Sequence, residues 1–276
     1  MKWAYLYRSD LDLRYELLSK ELATQGIENQ FEALKINQMD LLEQFDDITK
    51  KYDQLRCDSI FTDIFFSKLT KNKKTLEDIR SVDCLIKTGN ESWADCCLFD
   101  GVQKFIVSSS IRFDSRGEAL VIGTSPLSRM MCVILIKLGY KKINLSSMFE
   151  EQGDDLIKSL SSLYFGVDFQ FISPDQLIML PGTNTVLVNT LKVSEVTELL
   201  YNELYYFNFL TKGAVVWDMY FSVENSVLID EAKKLEVQTY SALKATVASD
   251  ELWLARIGCP QLNLTGYFDK ILKLMK

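Results

Sequence analysis

The sequence predicts an α/β fold in two halves, and three observations carry that prediction. Short apolar runs of strand length alternate with helix-period stripes along the 276 residues, the pattern that builds largely parallel sheets with right-handed crossovers. Gly117–Arg129 (GEALVIGTSPLSR) joins an apolar run, a glycine turn and an apolar helix pattern in that order. Between the halves, Ser108–Arg116 (SSSIRFDSR) breaks the alternation and reads as a hinge.

The elements follow in order. Lys2–Tyr7 alternates as a strand does, and Leu11–Leu22 carries a helical stripe (Leu11, Tyr15, Leu18, Leu22) that ends before Gly26. Gln30–Ile36 reads as strand, Met39–Leu55 as helix, Ser59–Phe65 as strand and Thr75–Ile79 as a short helix. Cys84–Lys87 is a short strand and Val102–Val107 starts a helix. In the second half, strand Ala119–Ile122, helix Leu127–Leu138 (stopped by Gly139) and strand Lys142–Leu145 form a βαβ opening. A helix near Asp154–Leu163, strands at Val167–Phe171 and Val186–Asn189, and a helix at Glu195–Phe209 come next. Strand Ala214–Asp218, helix Val227–Leu235 and strand Val237–Tyr240 complete the half, and helices Leu243–Ile257 and Leu264–Leu274 close the chain.

The βαβ opening is that of a Rossmann-like, doubly wound nucleotide-binding domain, in which the helix N-terminus faces a bound pyrophosphate. The full fingerprint needs glycines so that backbone N–H groups approach the phosphates. This turn keeps Gly123 but continues Thr124, Ser125, Pro126, and a proline offers no N–H. The architecture is announced while the phosphate chemistry is thinned.

Composition narrows the function classes. The hydrophobic share of 47% and charged share of 25% are those of an ordinary soluble protein. No apolar run reaches membrane-spanning length, and MKWAYLYRSD breaks at Arg8, unlike a signal peptide. The net charge of −7, with no basic stripe to offset it, argues against nucleic acid as a partner. The one cationic cluster, Lys71–Lys74, reads as a solvated helix start. Six cysteines without C-x-x-C spacing read as reduced core thiols of a cytoplasmic protein rather than a metal site. The chain has no histidine, which excludes Ser–His and Cys–His catalysis and any His-ligated metal. Proton transfer is left to Lys, Asp, Glu, Tyr and Cys.

Three segments, in order, resemble the shikimate/quinate dehydrogenase family: Asp58–Lys68 (DSIFTDIFFSK), Val82–Gly101 (VDCLIKTGNESWADCCLFDG), and Gly213–Asp218 (GAVVWD) with Leu228–Leu235 (LIDEAKKL). The resemblance spans almost the whole chain and is that of a divergent member. It implies a substrate-binding α/β domain over 1–108, completed by about 242–276 as the C-terminal helices return to it. A nucleotide-binding domain would occupy 109–241, with a small-molecule substrate in the cleft between. On the same resemblance Lys68 and Asp100 fall on the catalytic lysine and its partner aspartate, a dyad in which the carboxylate orients the ammonium.

Around that dyad the sequence departs from the family pattern. The S-x-S that binds the substrate carboxylate becomes SDLDLR, which supplies Asp12 with either Asp10 or Arg14. An aspartate there repels a carboxylate and an arginine attracts one. The two asparagines that read ring hydroxyls become Thr62 and Asp83, the residues before the lysine become Phe66 and Ser67, and a glutamine becomes Ala248. Shikimate is therefore not the expected substrate. The cofactor turn reads Gly123, Thr124, Ser125, Pro126, Leu127, Ser128, Arg129, and the N-R-T that meets the 2′-phosphate of NADP becomes Ser147, Met148, Phe149. No acidic residue replaces that arginine at the strand end, although Glu150 and Glu151 follow closely. NAD or NADP is implied, with neither selected.

Two functions follow from these residues. One is an oxidoreductase moving a hydride between a nicotinamide cofactor and a small hydroxyl or amine substrate other than shikimate. The other is a catalytically inactive dehydrogenase-fold protein retained as a binding or partner subunit. The aromatic run Tyr201–Phe209 (YNELYYFNF) fits either core packing or burial against a second copy or a protein partner.

Overall fold

A computed structural model describes residues 1–9, 11–69, 74–89, 91–191, 207–220, 226–259 and 264–274. The chain divides into two compact units, Met1–Phe105 with Ala245–Lys276, and Ile106–Lys244.

The first unit opens with β1 (Lys2–Tyr7), α1 (Arg14–Thr24), β2 (Gln30–Lys35), α2 (Gln38–Lys51) and β3 (Gln54–Cys57). A single 3-10 turn (Ser59–Phe61), α3 (Thr62–Lys68), α4 (Lys74–Ile79), β4 (Cys84–Thr88), β5 (Glu91–Asp95) and α5 (Cys97–Ser108) follow. The sheet order is β2-β1-β3-β4-β5. Its first three strands are parallel, with Tyr5 opposite Ala33 and Arg56, and β4 and β5 are antiparallel, with Cys84 opposite Asp95.

Four expectations are corrected here. Ser59–Phe65 is helical rather than a strand, because its buried residues Phe61, Thr62, Ile64 and Phe65 recur with helical rather than two-residue spacing. The α2 helix stops at Lys51, where Tyr52 turns extended, and Gln54–Cys57 is the strand. The strand Glu91–Asp95 carries no strand pattern in sequence, because ESWAD is half polar and pairs only at a sheet edge. Helix α5 starts at Cys97, five residues before the apolar stripe that suggested it.

The second unit runs β6 (Glu118–Ile122), α6 (Pro126–Lys137), β7 (Lys142–Ser146), α7 (Glu150–Ser161) and β8 (Asp168–Phe171). It continues with β9 (Asn184–Asn189), β10 (Leu210–Asp218), α8 (Val227–Lys234) and β11 (Gln238–Ser241). All six strands are parallel in the order β11-β10-β9-β6-β7-β8. Numbered within the unit, this is the 3-2-1-4-5-6 order of a doubly wound dinucleotide fold, whose direction reverses between β6 and β9. Leu120, Ile122, Leu187 and Val216 on the sheet pack with Leu177, Phe209, Leu228 and Ile229 into a buried core. Most of the helix expected at Glu195–Phe209 lies outside the described residues, as do Asp10 and Lys71–Lys73. Of the aromatic run, Phe207 and Phe209 are described and are buried in this core.

Helices α9 (Leu243–Arg256) and α10 (Thr265–Leu274) end the chain, and the first unit includes both from Ala245 onward. Trp253 of α9 packs on Trp3 of β1 with ring centroids 5.0 Å apart, and Trp3 also meets Phe31 and Tyr15. Gly101 of α5 lies against α9: a Cβ there would fall 2.6 Å from the Ala245 carbonyl oxygen and 2.7 Å from the Ser249 nitrogen. Only a glycine lets the two backbones come this close.

Candidate functional site

In the first unit the sequence-predicted residues Asp12, Arg14 and Asp83 join one buried charge network. Arg14, at the start of α1, pairs with Asp12 at 3.0 Å and with Asp250 of α9 at 3.4 Å. Asp250 has no exposed surface, accepts a hydrogen bond from the Tyr267 hydroxyl at 2.7 Å and lies 3.5 Å from Arg56. Arg56, on β3, is 1% exposed, reaches Asp83 at 3.7 Å and donates to the Tyr15 hydroxyl and to Ser249. Asp83 in turn accepts the N–H groups of Cys97 and Leu98 at 2.8 and 2.7 Å, which caps the N-terminus of α5. Buried charges persist only when paired, and here each guanidinium faces two carboxylates. Arg14 is thereby neutralised within the protein.

Sequence reasoning missed Arg56, Asp250 and Tyr267. Local sequence carried little signal: Arg56 follows the expected helix end at Leu55 in the half-polar strand QLRC, and Asp250 lies between Ser249 and Glu251 on a helix whose buried residues also include Thr246 and Ser249. Thr62 is buried, and its hydroxyl is used by the fold itself, donating to the Ser59 carbonyl at 2.6 Å and accepting from the Val82 N–H at 2.9 Å.

Lys68 ends α3 with an exposed side chain and forms no ion pair with any described residue. Asp100, on the first turn of α5, is paired with Arg256 of α9. Arg256 also contacts Asp95 at 3.1 Å and the Cys97 sulfur at 2.9 Å. Burial alone would depress this guanidinium, but Cys97, Asp95 and Asp100 hold it above the usual arginine range. The carboxylate expected to partner Lys68 thus has an arginine partner in this structure. Cys84, Cys97 and Asp83 place their ligand atoms within 4.8 Å of one another, all buried.

In the second unit the turn after β6 sits where the strand order reverses, which is where open α/β sheets bind ligands. Gly123 has φ +114°, and its N–H donates to the Ser146 carbonyl of β7 at 2.8 Å. A Cβ at Gly123 would strike Thr190 Oγ1 and come within 2.9 Å of Ser128 Oγ. Thr190, just past β9, ties the turn together: its hydroxyl bonds the Ile122 carbonyl at 2.7 Å and the Ser128 hydroxyl at 2.6 Å. Ser125 caps α6 through the Ser128 N–H, and Thr124 donates to Gln152 of α7 at 3.0 Å. The N–H groups of Thr124, Ser125 and Leu127 make no hydrogen bond to any described residue. Three open donors at a helix N-terminus fit an anionic diphosphate.

Nothing comparable among the described residues meets a 2′-phosphate. Arg129 is 7% exposed and turns to Ser159 of α7 at 2.7 Å. Beyond β7 stand Ser147, Met148 and Phe149, of which Met148 is 37% and Phe149 63% exposed. No helix among the described residues is long and apolar enough to cross a membrane.

No family model matches the sequence, and no curated protein matches it. Its likeness is to solved structures. Shikimate 5-dehydrogenase from Thermus thermophilus, solved with shikimate, aligns over 100% of this chain and 99% of its own, with TM-score 0.79 and 13% identity. The Listeria monocytogenes enzyme, solved with shikimate and NAD, aligns over 99% of this chain and 96% of its own, with TM-score 0.79 and 13% identity. Quinate dehydrogenase from Corynebacterium glutamicum, solved with NAD, aligns over 99% of both chains with TM-score 0.78 and 10% identity. At such identities the likeness establishes the fold. The chain has the α/β fold of the shikimate and quinate dehydrogenases.

Proposed function

We propose that this protein is a divergent, shikimate-dehydrogenase-like oxidoreductase acting in the cytoplasm on a small hydroxyl or amine substrate other than shikimate. The observation that carries the reading is the turn Gly123–Leu127, whose three open N–H donors stand at the reversal point of the second sheet. These donors would hold the diphosphate of a nicotinamide dinucleotide, and Thr190 and Ser128 would fix the turn's shape. Lack of a cation among the described residues beyond β7 favours NAD over NADP. Bound there, the nicotinamide supplies the hydride donor or acceptor.

The remaining chemistry falls to the first unit. Lys68 would move the proton at the reacting hydroxyl or amine, since an ammonium exchanges protons near neutral pH far more readily than a guanidinium. Asp100, oriented by Arg256, would be the fixed carboxylate of the pair. Neutralisation of Arg14 by Asp12 and Asp250 removes the attraction for a substrate carboxylate, which supports a substrate without one. The test is an NAD-linked screen of small alcohols and amines by absorbance at the reduced nicotinamide band. Activity should appear in the wild type and fall at least about 100-fold in Lys68→Ala; equal activity in both would remove Lys68 from the chemistry.

A second reading rests on one contact, the Asp100–Arg256 pair. If that arginine permanently occupies the aspartate, the chain is an inactive dehydrogenase-fold protein that binds a nucleotide or a protein partner. It predicts cofactor binding without turnover, or no binding at all.

A further inference from the structure

We propose that Cys84 and Cys97 form a reversible disulfide, with Cys97 the reacting thiol and Cys84 the resolving one. The sheet brings them together. Cys84 of β4 lies opposite Asp95, the last residue of β5, and Cys97 opens α5 two residues further on. Their sulfurs are 3.5 Å apart, while Cys96 faces the Ser81 hydroxyl. Both are fully buried, so a bond between them needs an approach of about 1.5 Å to reach disulfide length.

The pair is chemically asymmetric. Arg256 contacts the Cys97 sulfur at 2.9 Å, whereas the Cys84 sulfur faces the Asp95 carbonyl at 3.5 Å. Burial pushes the Cys84 thiol well up, aided by its neighbour Cys97 and by Asp83. Arg256 is itself partly exposed, and a small oxidant would reach the Cys97 sulfur past this side chain. A metal ion is the poorer occupant. Both oxygens of Asp83, the third donor, already accept N–H groups of α5, and a cation stands on Cys97.

With hydrogen peroxide as oxidant, the Cys97 sulfur attacks one peroxide oxygen, giving the sulfenic acid while its thiol proton leaves with the other oxygen as water. The Cys84 sulfur then displaces that oxygen as water after losing its proton. Two thiols and one hydrogen peroxide become one disulfide and two waters. Oxidation also ties the Cys97 sulfur that Arg256 contacts into the disulfide, leaving Asp95 and Asp100 as the carboxylates on that guanidinium. The inference stands on the sulfurs and Arg256 alone and is independent of cofactor binding.

The test exposes the folded protein to hydrogen peroxide, blocks remaining thiols, and maps peptides by tandem mass spectrometry without reduction. Thiols should fall by two per chain, the bond should join 84 to 97, and a dithiol should restore both. Cys96→Ser should lose two thiols as the wild type does, and Cys97→Ser none. Formation of any other pair, or no thiol loss in folded protein under conditions that oxidise the unfolded chain, would overturn the proposal. The wild-type map decides even if a variant fails to fold.

Discussion

Replacing Asp250 by alanine should be among the most damaging single changes in the first unit. Its carboxylate has no exposed surface and lies 3.4 Å from Arg14, 3.5 Å from Arg56 and 2.7 Å from the Tyr267 hydroxyl. Arg14 retains Asp12 at 3.0 Å, whereas Arg56 retains, among the described carboxylates, only Asp83 at 3.7 Å, beside its hydrogen bonds to Tyr15 and Ser249. Breaking a buried ion pair by removing one partner costs about 3–5 kcal/mol, and the orphaned Tyr267 hydroxyl adds roughly 1 kcal/mol. For a unit of about 140 residues, a loss of roughly 4–6 kcal/mol lowers its melting midpoint by about 12–18 °C. Differential scanning calorimetry on wild type and Asp250→Ala reads this directly. Asp250→Asn keeps an acceptor for Tyr267 and should fall between them. A shift below about 3 °C for Asp250→Ala would refute the reasoning and mean that water solvates the two arginines.

Further outcomes follow from other contacts. Gly123→Ala forces a side chain onto φ +114° and against the Thr190 hydroxyl, which together cost roughly 2–5 kcal/mol of second-unit stability. Adding Thr190→Ala should recover part of that loss, and a double-mutant cycle with no coupling would contradict the packing described. Asp218, at the end of β10, has its carboxyl pushed up by burial, against the opposing pull of Ser226, Asn189 and the Tyr220 N–H. A folded-state value above the unfolded one means its contribution is complete below about pH 3.9 and is lost as pH rises through the folded value. Asp218→Asn should therefore gain melting temperature relative to wild type across that rise, and parallel curves would contradict it. Asp114 is held down to about 2 by hydrogen bonds from Arg116. In carboxyl NMR titrations Arg116→Ala should move its midpoint up toward about 3.9, and an unchanged midpoint would dissociate the two groups.

The second unit was the more legible in sequence. Val121 and Ile122 running into Gly123, with Ser125 and Pro126 opening a helix, carry their conformations in their own chemistry: a buried strand, a positive φ, an N-cap and a proline at the first helical position. The first unit was read less well at DSIFTDIFFSK, where β-branched and aromatic residues suggest a strand but Phe61, Ile64 and Phe65 bury one helical face. The site was legible as residue types, not as partners. That Asp100 meets Arg256, and Arg14 meets Asp250, depends on α9 folding back from the far end of the chain, and no local spacing encodes such a contact. Gly101 held the one local clue, since a glycine beside Asp100 in a helix interior points to a close helix crossing.

The central claim is that the Gly123 turn holds a nicotinamide dinucleotide, and calorimetric titration of the purified protein with NAD⁺, NADH, NADP⁺ and NADPH tests it most directly. The account predicts micromolar binding of NAD⁺ or NADH, weaker binding of the 2′-phosphorylated pair, and loss of binding in Gly123→Ala. Absence of heat and of thermal shift with all four at millimolar concentration would contradict it and leave the chain a dehydrogenase fold without a dehydrogenase's cofactor.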